Sequence, residues 1–244
     1  MTTGIYIPQG RALEYSAYAC NLYTGCVHGC TYCYAREMAY RFGRKAEWDN
    51  PKPREGIMKA IGKDARKLLE QAIYANVLLC FTCDPYGEVA VGHSRMVRDV
   101  VETLHDYGQN FTVLSKAGQI ACRDFDLYRE ADKFGATLTL HTGWEEFEPN
   151  AAPYQERVEN LREAHRLGIS TFVSMEPLLD MRQALEIIES TEECVDFYKL
   201  GTLNHAGKKD RKALGQYLRD AEALLRQLGR QWMVKKDLEE CRYA

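Results

Sequence analysis

Nowhere does this sequence hold the roughly 18–20 consecutive apolar residues that a membrane-spanning helix needs, so no span is expected. It has no internal repeat, no low-complexity segment and no Pro- or Gly-rich linker, which points to one domain covering 1–244. No apolar signal segment precedes Gly4, and the nine cysteines are an odd number, so a disulfide framework is not expected. A chain of 244 residues can bury a core without such staples. The expectation is a cytoplasmic protein whose cysteines are thiols or metal ligands. Strong charge of one sign is also lacking, since the net charge is −3. The charges are unevenly spread, however. Ten Lys/Arg face five Asp/Glu from Arg36 to Lys67, nine face three from Lys208 to Lys236, and four face thirteen from Leu140 to Asp196. Such asymmetry suits either a polyanion-binding face or ordinary solvated helix surfaces.

Apolar periodicity organises the rest. Residues 1–16 read as an N-terminal arm. Tyr18 to Leu22 is a first short strand, and Tyr34 to Arg44 and Met58 to Ala72 have helical spacing. Strands follow at Val77–Thr82, Phe111–Ser115, Thr137–His141, Ile169–Met175 and Val195–Gly201, with a last short one at Gln231–Val234. Helical patterns lie between them at Met96–Tyr107, Arg123–Lys133, Gln155–Leu167 and Met181–Glu189, and a long one runs from Leu214 to Leu228. Alternating strands and helices with connections of this length predict right-handed crossovers in an α/β fold. The expected architecture is a partial (β/α)6 barrel of parallel strands with outer helices. The core barrel would span 17–204, and 205–244 would add a C-terminal helix and short strand.

In such barrels chemistry sits where strands end. Here those ends carry Cys26, Cys30 and Cys33; Thr82, Cys83, Asp84 and Tyr86; Lys116; His141 and Trp144; Glu176; Asn204 and His205; and Lys235 and Lys236. The densest group is Gly25-Cys26-Val27-His28-Gly29-Cys30-Thr31-Tyr32-Cys33-Tyr34-Ala35, with cysteines at C-x3-C-x2-C spacing. Thiolates are soft ligands for iron and zinc. This spacing lets one loop wrap a cubic iron–sulfur cluster, and a missing fourth cysteine leaves one iron open to a small molecule. A Cys3His zinc site using His28 and a set of unliganded core thiols are the other two readings of the same residues. Cys80 and Cys83 also form C-x2-C, but positions i and i+3 of a strand face opposite sides, so no second site is expected there. Cys20, Cys122 and Cys194 stand alone, and Cys241 reads as a free or tail thiol.

C-x3-C-x2-C with an aromatic before the last cysteine resembles the signature of the radical S-adenosylmethionine (radical SAM) superfamily. The longer run from Asn21 to Ala35 resembles its spore photoproduct lyase-like branch. Gly10-Arg11-Ala12, Thr82-Cys83-Asp84-Pro85-Tyr86, Ser115-Lys116 and Met175-Glu176-Pro177 carry the likeness as far as Asn204. The resemblance implies a lyase-like enzyme holding a [4Fe–4S] cluster on Cys26, Cys30 and Cys33, with SAM as second cofactor. Reductive cleavage of SAM would give a 5′-deoxyadenosyl radical that takes hydrogen from a substrate. That substrate would be a nucleic acid, a nucleotide-like compound or a small metabolite, and an external flavodoxin- or ferredoxin-type donor would supply the electron. Lys116, and Thr139 read as inward on strand four, would meet the SAM carboxylate. Thr82 and Asp84 would meet its amine or ribose, and Tyr32 or Tyr34 its adenine. Asp84-Pro85-Tyr86-Gly87-Glu88 stands where many members have Gly-Gly-Glu. Glu176, where an apolar strand ends before a proline, is the candidate catalytic contact to substrate. A radical-generating activase of a partner protein and a non-enzymatic zinc module are the alternatives.

Overall fold

The computed structural model describes residues 2–87, 95–203 and 210–244; Glu88, Asn204 and His205 lie outside them. Eight strands form one sheet in the order β1 (Ile5–Tyr6), β2 (Tyr18–Cys20), β5 (Asn76–Leu79), β6 (Asn110–Ser115), β7 (Lys133–Thr137), β8 (Ser170–Met175), β9 (Phe197–Leu200) and β10 (Gln231–Val234). A separate two-residue pair joins β3 (Tyr23–Thr24) to β4 (Lys52–Pro53). From β2 to β10 every pairing in the main sheet is parallel, and β1 alone is antiparallel. Neighbouring strands follow chain order without reversal, so the sheet has no switch point of the doubly wound kind. It curls instead: ends of β5, β6, β7, β8 and β10 all line one cavity. This is an α/β partial barrel.

The strands separate their two faces by period-2 alternation. Val77, Leu79, Phe111, Val113, Phe134, Ala136, Val173, Tyr198 and Leu200 are buried in the core that the outer helices cover. Those helices are α3 (Ile57–Glu70), α4 (Met96–Asp106), α5 (Tyr154–Arg166), α6 (Met181–Thr191) and α7 (Arg211–Gln227). α4 shows the logic: Val97, Val100, Val101 and Leu104 recur at helical spacing and are at most 1% exposed. Burying each of them stabilises by about 1.5–3 kcal/mol.

Two expectations are corrected. No α-helix spans Arg123–Lys133; a kinked 3-10 segment, Gln119–Leu127, makes that connection. The strand expected at Thr137–His141 lies four residues earlier, at Lys133–Thr137. Gly135, which looks like a helix stop, is a mid-strand glycine with a packing reason. The Phe172 ring from β8 lies across it, and a Cβ on Gly135 would stand 2.4 Å from Phe172 Cζ.

The N-terminal arm is tied into the barrel rather than extended away from it. Ile5–Tyr6 pairs with β2, and Gly10–Glu14 is a 3-10 turn. Among the described residues β10 makes no pairing on its outer side, and Tyr15 fills this seam. Its ring lies 3.7 Å from Lys235 Nζ, 4.6 Å from Lys199 Nζ and 5.8 Å from the Phe81 ring. Glu14 Oε1 accepts from the Lys236 amide at 3.1 Å.

Gly135→Ala is expected to destabilise the protein by about 1–3 kcal/mol in urea unfolding, because the added methyl meets a fixed ring. Adding Phe172→Leu should recover part of the loss. If Gly135→Ala alone were neutral, this packing account would be wrong.

Candidate functional site

The cysteine motif forms the loop from β3 into α1 (Tyr34–Arg41). Gly25 and Gly29 have φ of 74° and 66°, which a β-carbon would strain. At Gly25 that carbon would also stand 2.3 Å from the Trp48 carbonyl oxygen. The stretch around Phe147–Asn150 clamps the loop from outside. Thr31 N donates to Phe147 O at 2.9 Å, and Asn150 Nδ2 donates to Val27 O at 3.0 Å. Cys26, Cys30 and Cys33 all line the principal cavity, about 720 Å³ in volume. Burial pushes the Cys26 and Cys30 thiols up; for Cys30 the nearby Lys116 charge works in the opposite direction.

Asp84 joins this loop to the sheet. Its carboxylate accepts from Ser115 Oγ at 2.9 and 3.0 Å, from Lys116 N at 2.7 Å and from Tyr86 N at 2.8 Å, and it lies 2.9 Å from His28 Nε2. Burial opposes this charge, but His28 and the two amides outweigh it and hold the carboxyl below the usual range. The sequence reading assigned Asp84 to the SAM amine or ribose; the structure commits its oxygens to these protein groups.

His28 is engaged as well, since its Nδ1 lies 3.1 Å from Asn150 O. The zinc reading therefore loses its fourth ligand. Among the described residues no three His, Cys, Asp or Glu side chains are grouped as a single metal ion requires. A cubic cluster differs because it holds its thiolates on separate irons. The three thiols of this one loop line the cavity together and fit that donor set, whereas Cys80 and Cys83 reach the same cavity from the turn after β5.

Lys116 follows β6 and turns towards the loop, its Nζ 5.6 Å from the Tyr32 ring centroid. No carboxylate lies within ion-pair distance of this Nζ among the described residues. Burial works against the ammonium, yet Cys30 and Glu148 outweigh it and keep Lys116 above its ordinary value. Glu148 and Arg157 are the pair that sequence reasoning missed. They are 0% and 1% exposed and form an ion pair with an N···O distance of 2.6 Å. Glu148 Oε1 also accepts from Tyr32 OH and, at 3.1 Å, from Thr139 Oγ1. Thr139 thus lies beyond β7 and serves Glu148 rather than lining the cavity, and the Tyr32 hydroxyl is held from behind. In the sequence Glu148 is one acid in an acid-rich stretch, with nothing to mark it.

Elsewhere on the cavity, after β8, Glu176 accepts from Tyr15 OH at 2.8 Å and pairs with Lys235. Tyr15 OH also bonds Ser174 Oγ at 2.9 Å. Tyr15 and Lys235 line the cavity too; no motif marked Tyr15. Tyr34 OH donates to Phe81 O at 3.0 Å, and Thr82 N donates to Asn21 Oδ1 at 2.9 Å. The Tyr34 and Thr82 side chains both border the cavity. His141 lies 2.6 Å from Glu186 and takes no part. Cys241 is a free thiol, as expected, but at 2% exposed it is packed rather than loose in the tail. Cys80 and Cys83 both line the cavity, against the strand-based expectation, because β5 ends at Leu79 and the chain bends through 81–83.

Buried carboxylates held low make stability pH-dependent in a definite direction. Asp84 and Glu148 both have folded-state values below their ordinary ones. Burial opposes the Glu148 charge too, and Lys116 and Arg157 outweigh it. Their contribution is complete above the unfolded values, about 3.9 and 4.3, and is lost as pH falls through the folded ones. Urea midpoints should therefore fall below about pH 4, and less steeply in Glu148→Gln than in the wild type. At neutral pH Glu148→Gln should cost about 3–5 kcal/mol, because Arg157 is left without its counter-charge. A variant with wild-type stability and acid slope would refute the pairing.

The sequence model of the Radical SAM superfamily matches residues 20–189. An uncharacterised protein of Methanocaldococcus jannaschii is 23% identical over 202 residues, covering 80% of this chain and 73% of that protein. One from Acidianus two-tailed virus is 27% identical over 200 residues, covering 76% and 64%. Among solved structures, spore photoproduct lyase complexed with dinucleoside spore photoproduct superposes with a TM-score of 0.73 at 14% identity, over 95% of this chain and 79% of that one. A double mutant of the lyase, with bound AdoMet and the same dinucleoside, gives 0.73 at 15% with the same coverage. Streptococcus suis SuiB bound to S-adenosylmethionine gives 0.56 at 10%, over 71% and 43%. At these identities the solved structures speak to the fold. The superfamily match covers well over half the chain and includes the three-cysteine loop. This chain belongs to the radical SAM superfamily and is an enzyme of that family, which implies S-adenosylmethionine and a [4Fe–4S] cluster as its cofactors.

Proposed function

We propose that Cys26, Cys30 and Cys33 hold a [4Fe–4S] cluster, and that the same cavity binds SAM and a nucleic acid or nucleotide-like substrate. The observation that carries this reading is the meeting, on a single cavity, of the three loop thiols and Lys116, a cation with no carboxylate within ion-pair distance among the described residues. When bound, cluster and SAM supply one-electron cleavage of the sulfonium and a radical that takes hydrogen from substrate.

The protein's own groups position and shield. Lys116 receives the SAM carboxylate, and its place against Tyr32 is fixed by Glu148 and Arg157. Thr82 offers a hydroxyl at the mouth of β5, and Tyr32 and Tyr34 present ring faces to the adenine. Asp84 acts through His28 and the Lys116 amide, so it is a positioning residue for both loop and cation. Thr139 acts through Glu148. Glu176, with Tyr15 and Lys235, forms a donor–acceptor wall suited to the polar edge of a base. The lyase-like neighbours and the basic stretches support a nucleotide-like substrate over an unrelated metabolite. An external flavodoxin- or ferredoxin-type protein would supply the electron, in the cytoplasm.

Anaerobic reconstitution tests this directly. The protein should be brown, absorb broadly near 400 nm, and release 5′-deoxyadenosine from SAM under dithionite. A colourless protein with stoichiometric zinc would overturn the reading. Lys116→Met should weaken SAM binding about 10–100-fold, since a charge-assisted hydrogen bond contributes about 1.5–3 kcal/mol, while iron content stays unchanged. Glu176→Gln should leave SAM binding intact and lower turnover of a dinucleotide substrate. Equal losses of SAM binding in both variants would contradict the division of roles between the two walls.

A further inference from the structure

Cys80 and Cys83 have no part in the function just described, yet both border its cavity. β5 ends at Leu79, and the turn that follows places both residues on that cavity. Both are free thiols, and burial together with the neighbouring Cys83 pushes the Cys80 thiol up. Cys80 is 6% exposed, whereas Cys83 is only half-buried. The two residues between them are pinned. Asn21 Oδ1 accepts from Phe81 N at 2.7 Å and from Thr82 N at 2.9 Å, and Tyr34 OH holds Phe81 O. Asp84, the next residue, anchors the cluster loop through His28. An accessible thiol beside a buried one is the arrangement in which the first exchanges with an outside disulfide and the second resolves the adduct. A short segment bearing Thr82 and Asp84 would record that change in its shape.

We propose that Cys80 and Cys83 form a thiol–disulfide exchange site, opening on the cofactor cavity, whose partner is a small disulfide of the glutathione class. The Cys83 thiolate attacks one sulfur of the small disulfide and expels one thiolate. The Cys80 sulfur then attacks Cys83 Sγ, forms the internal S–S bond and expels the second. The two protein thiols give up two protons and two electrons, and the small disulfide leaves as two thiols. Joining the sulfurs fixes them at about 2 Å. This pulls the Phe81–Thr82 turn away from Asn21 and Tyr34 and closes the wall that SAM meets. The last consequence rests on the proposed SAM site; the exchange itself does not.

The test uses holoprotein, reconstituted anaerobically and treated with oxidised glutathione, then acid-quenched, alkylated and digested. The peptide holding Cys80 and Cys83 should be two hydrogens lighter and unalkylated, with the cluster absorbance near 400 nm retained. Dithiothreitol should restore double alkylation. Full alkylation after treatment, or a glutathione adduct on Cys83 that never resolves, would overturn the exchange. SAM binding by equilibrium dialysis should weaken about tenfold or more in the oxidised form and recover with dithiothreitol. Cys83→Ser should bind SAM equally before and after treatment. A disulfide that forms without changing SAM affinity would overturn the coupling. A reduced protein that never binds SAM would instead sink the proposed function, and the peptide map would still decide the exchange.

Discussion

One buried carboxylate holds the site in register. Asp84 takes hydrogen bonds from the hydroxyl of Ser115 and the amides of Lys116 and Tyr86, and lies against His28 from the cysteine loop. A buried anion is costly unless its lone pairs are satisfied. Here the partners come from three separate stretches of chain, so satisfying the charge fixes those stretches relative to one another. The end of β6 sets where Lys116 begins, and His28 sets where the loop lies over the cavity. Moving any one of them would leave the buried charge short of one of its partners.

The remaining polar groups follow the same rule in two further sets. Glu148 and Arg157 lie behind Tyr32, and Glu176, Lys235 and Tyr15 line another part of the cavity. Each set neutralises its own charge, so the cavity presents Lys116 as the cation without a carboxylate beside it among the described residues. An anionic ligand entering this space meets one preferred end. The seam of the partial barrel matters to the same end: Tyr15, from ahead of the first parallel strand, brings its hydroxyl to Glu176 across the gap beside β10.

Strand order, helix faces and the three-cysteine loop were legible because each depends on local periodicity or spacing. β10 falls where its apolar run predicts, at Gln231–Val234. β7 was misplaced because Gly135 and the charged residues before it imitate a helix end, and the reason for that glycine is a ring on another strand. Lys116 and Glu176 were found as strand-end residues. Glu148, Arg157 and Tyr15 were not, since they come from a loop, a helix and the N-terminal arm, and only tertiary folding brings them to the site. Asp84 was placed at the cavity by sequence, which could not show that Ser115, Lys116, Tyr86 and His28 hold its oxygens. Cys80 and Cys83 were misjudged for a related reason, because the strand stops one residue before the first of them.

The central claim is that three thiolates leave one position of a four-iron cluster for SAM. Mössbauer spectroscopy of protein reconstituted with ⁵⁷Fe reads that position. On adding SAM, one iron in four should shift to a distinct, higher-coordinate site while the others stay as they were. A spectrum in which SAM leaves every iron unchanged, or a protein that assembles no cluster, would contradict the account.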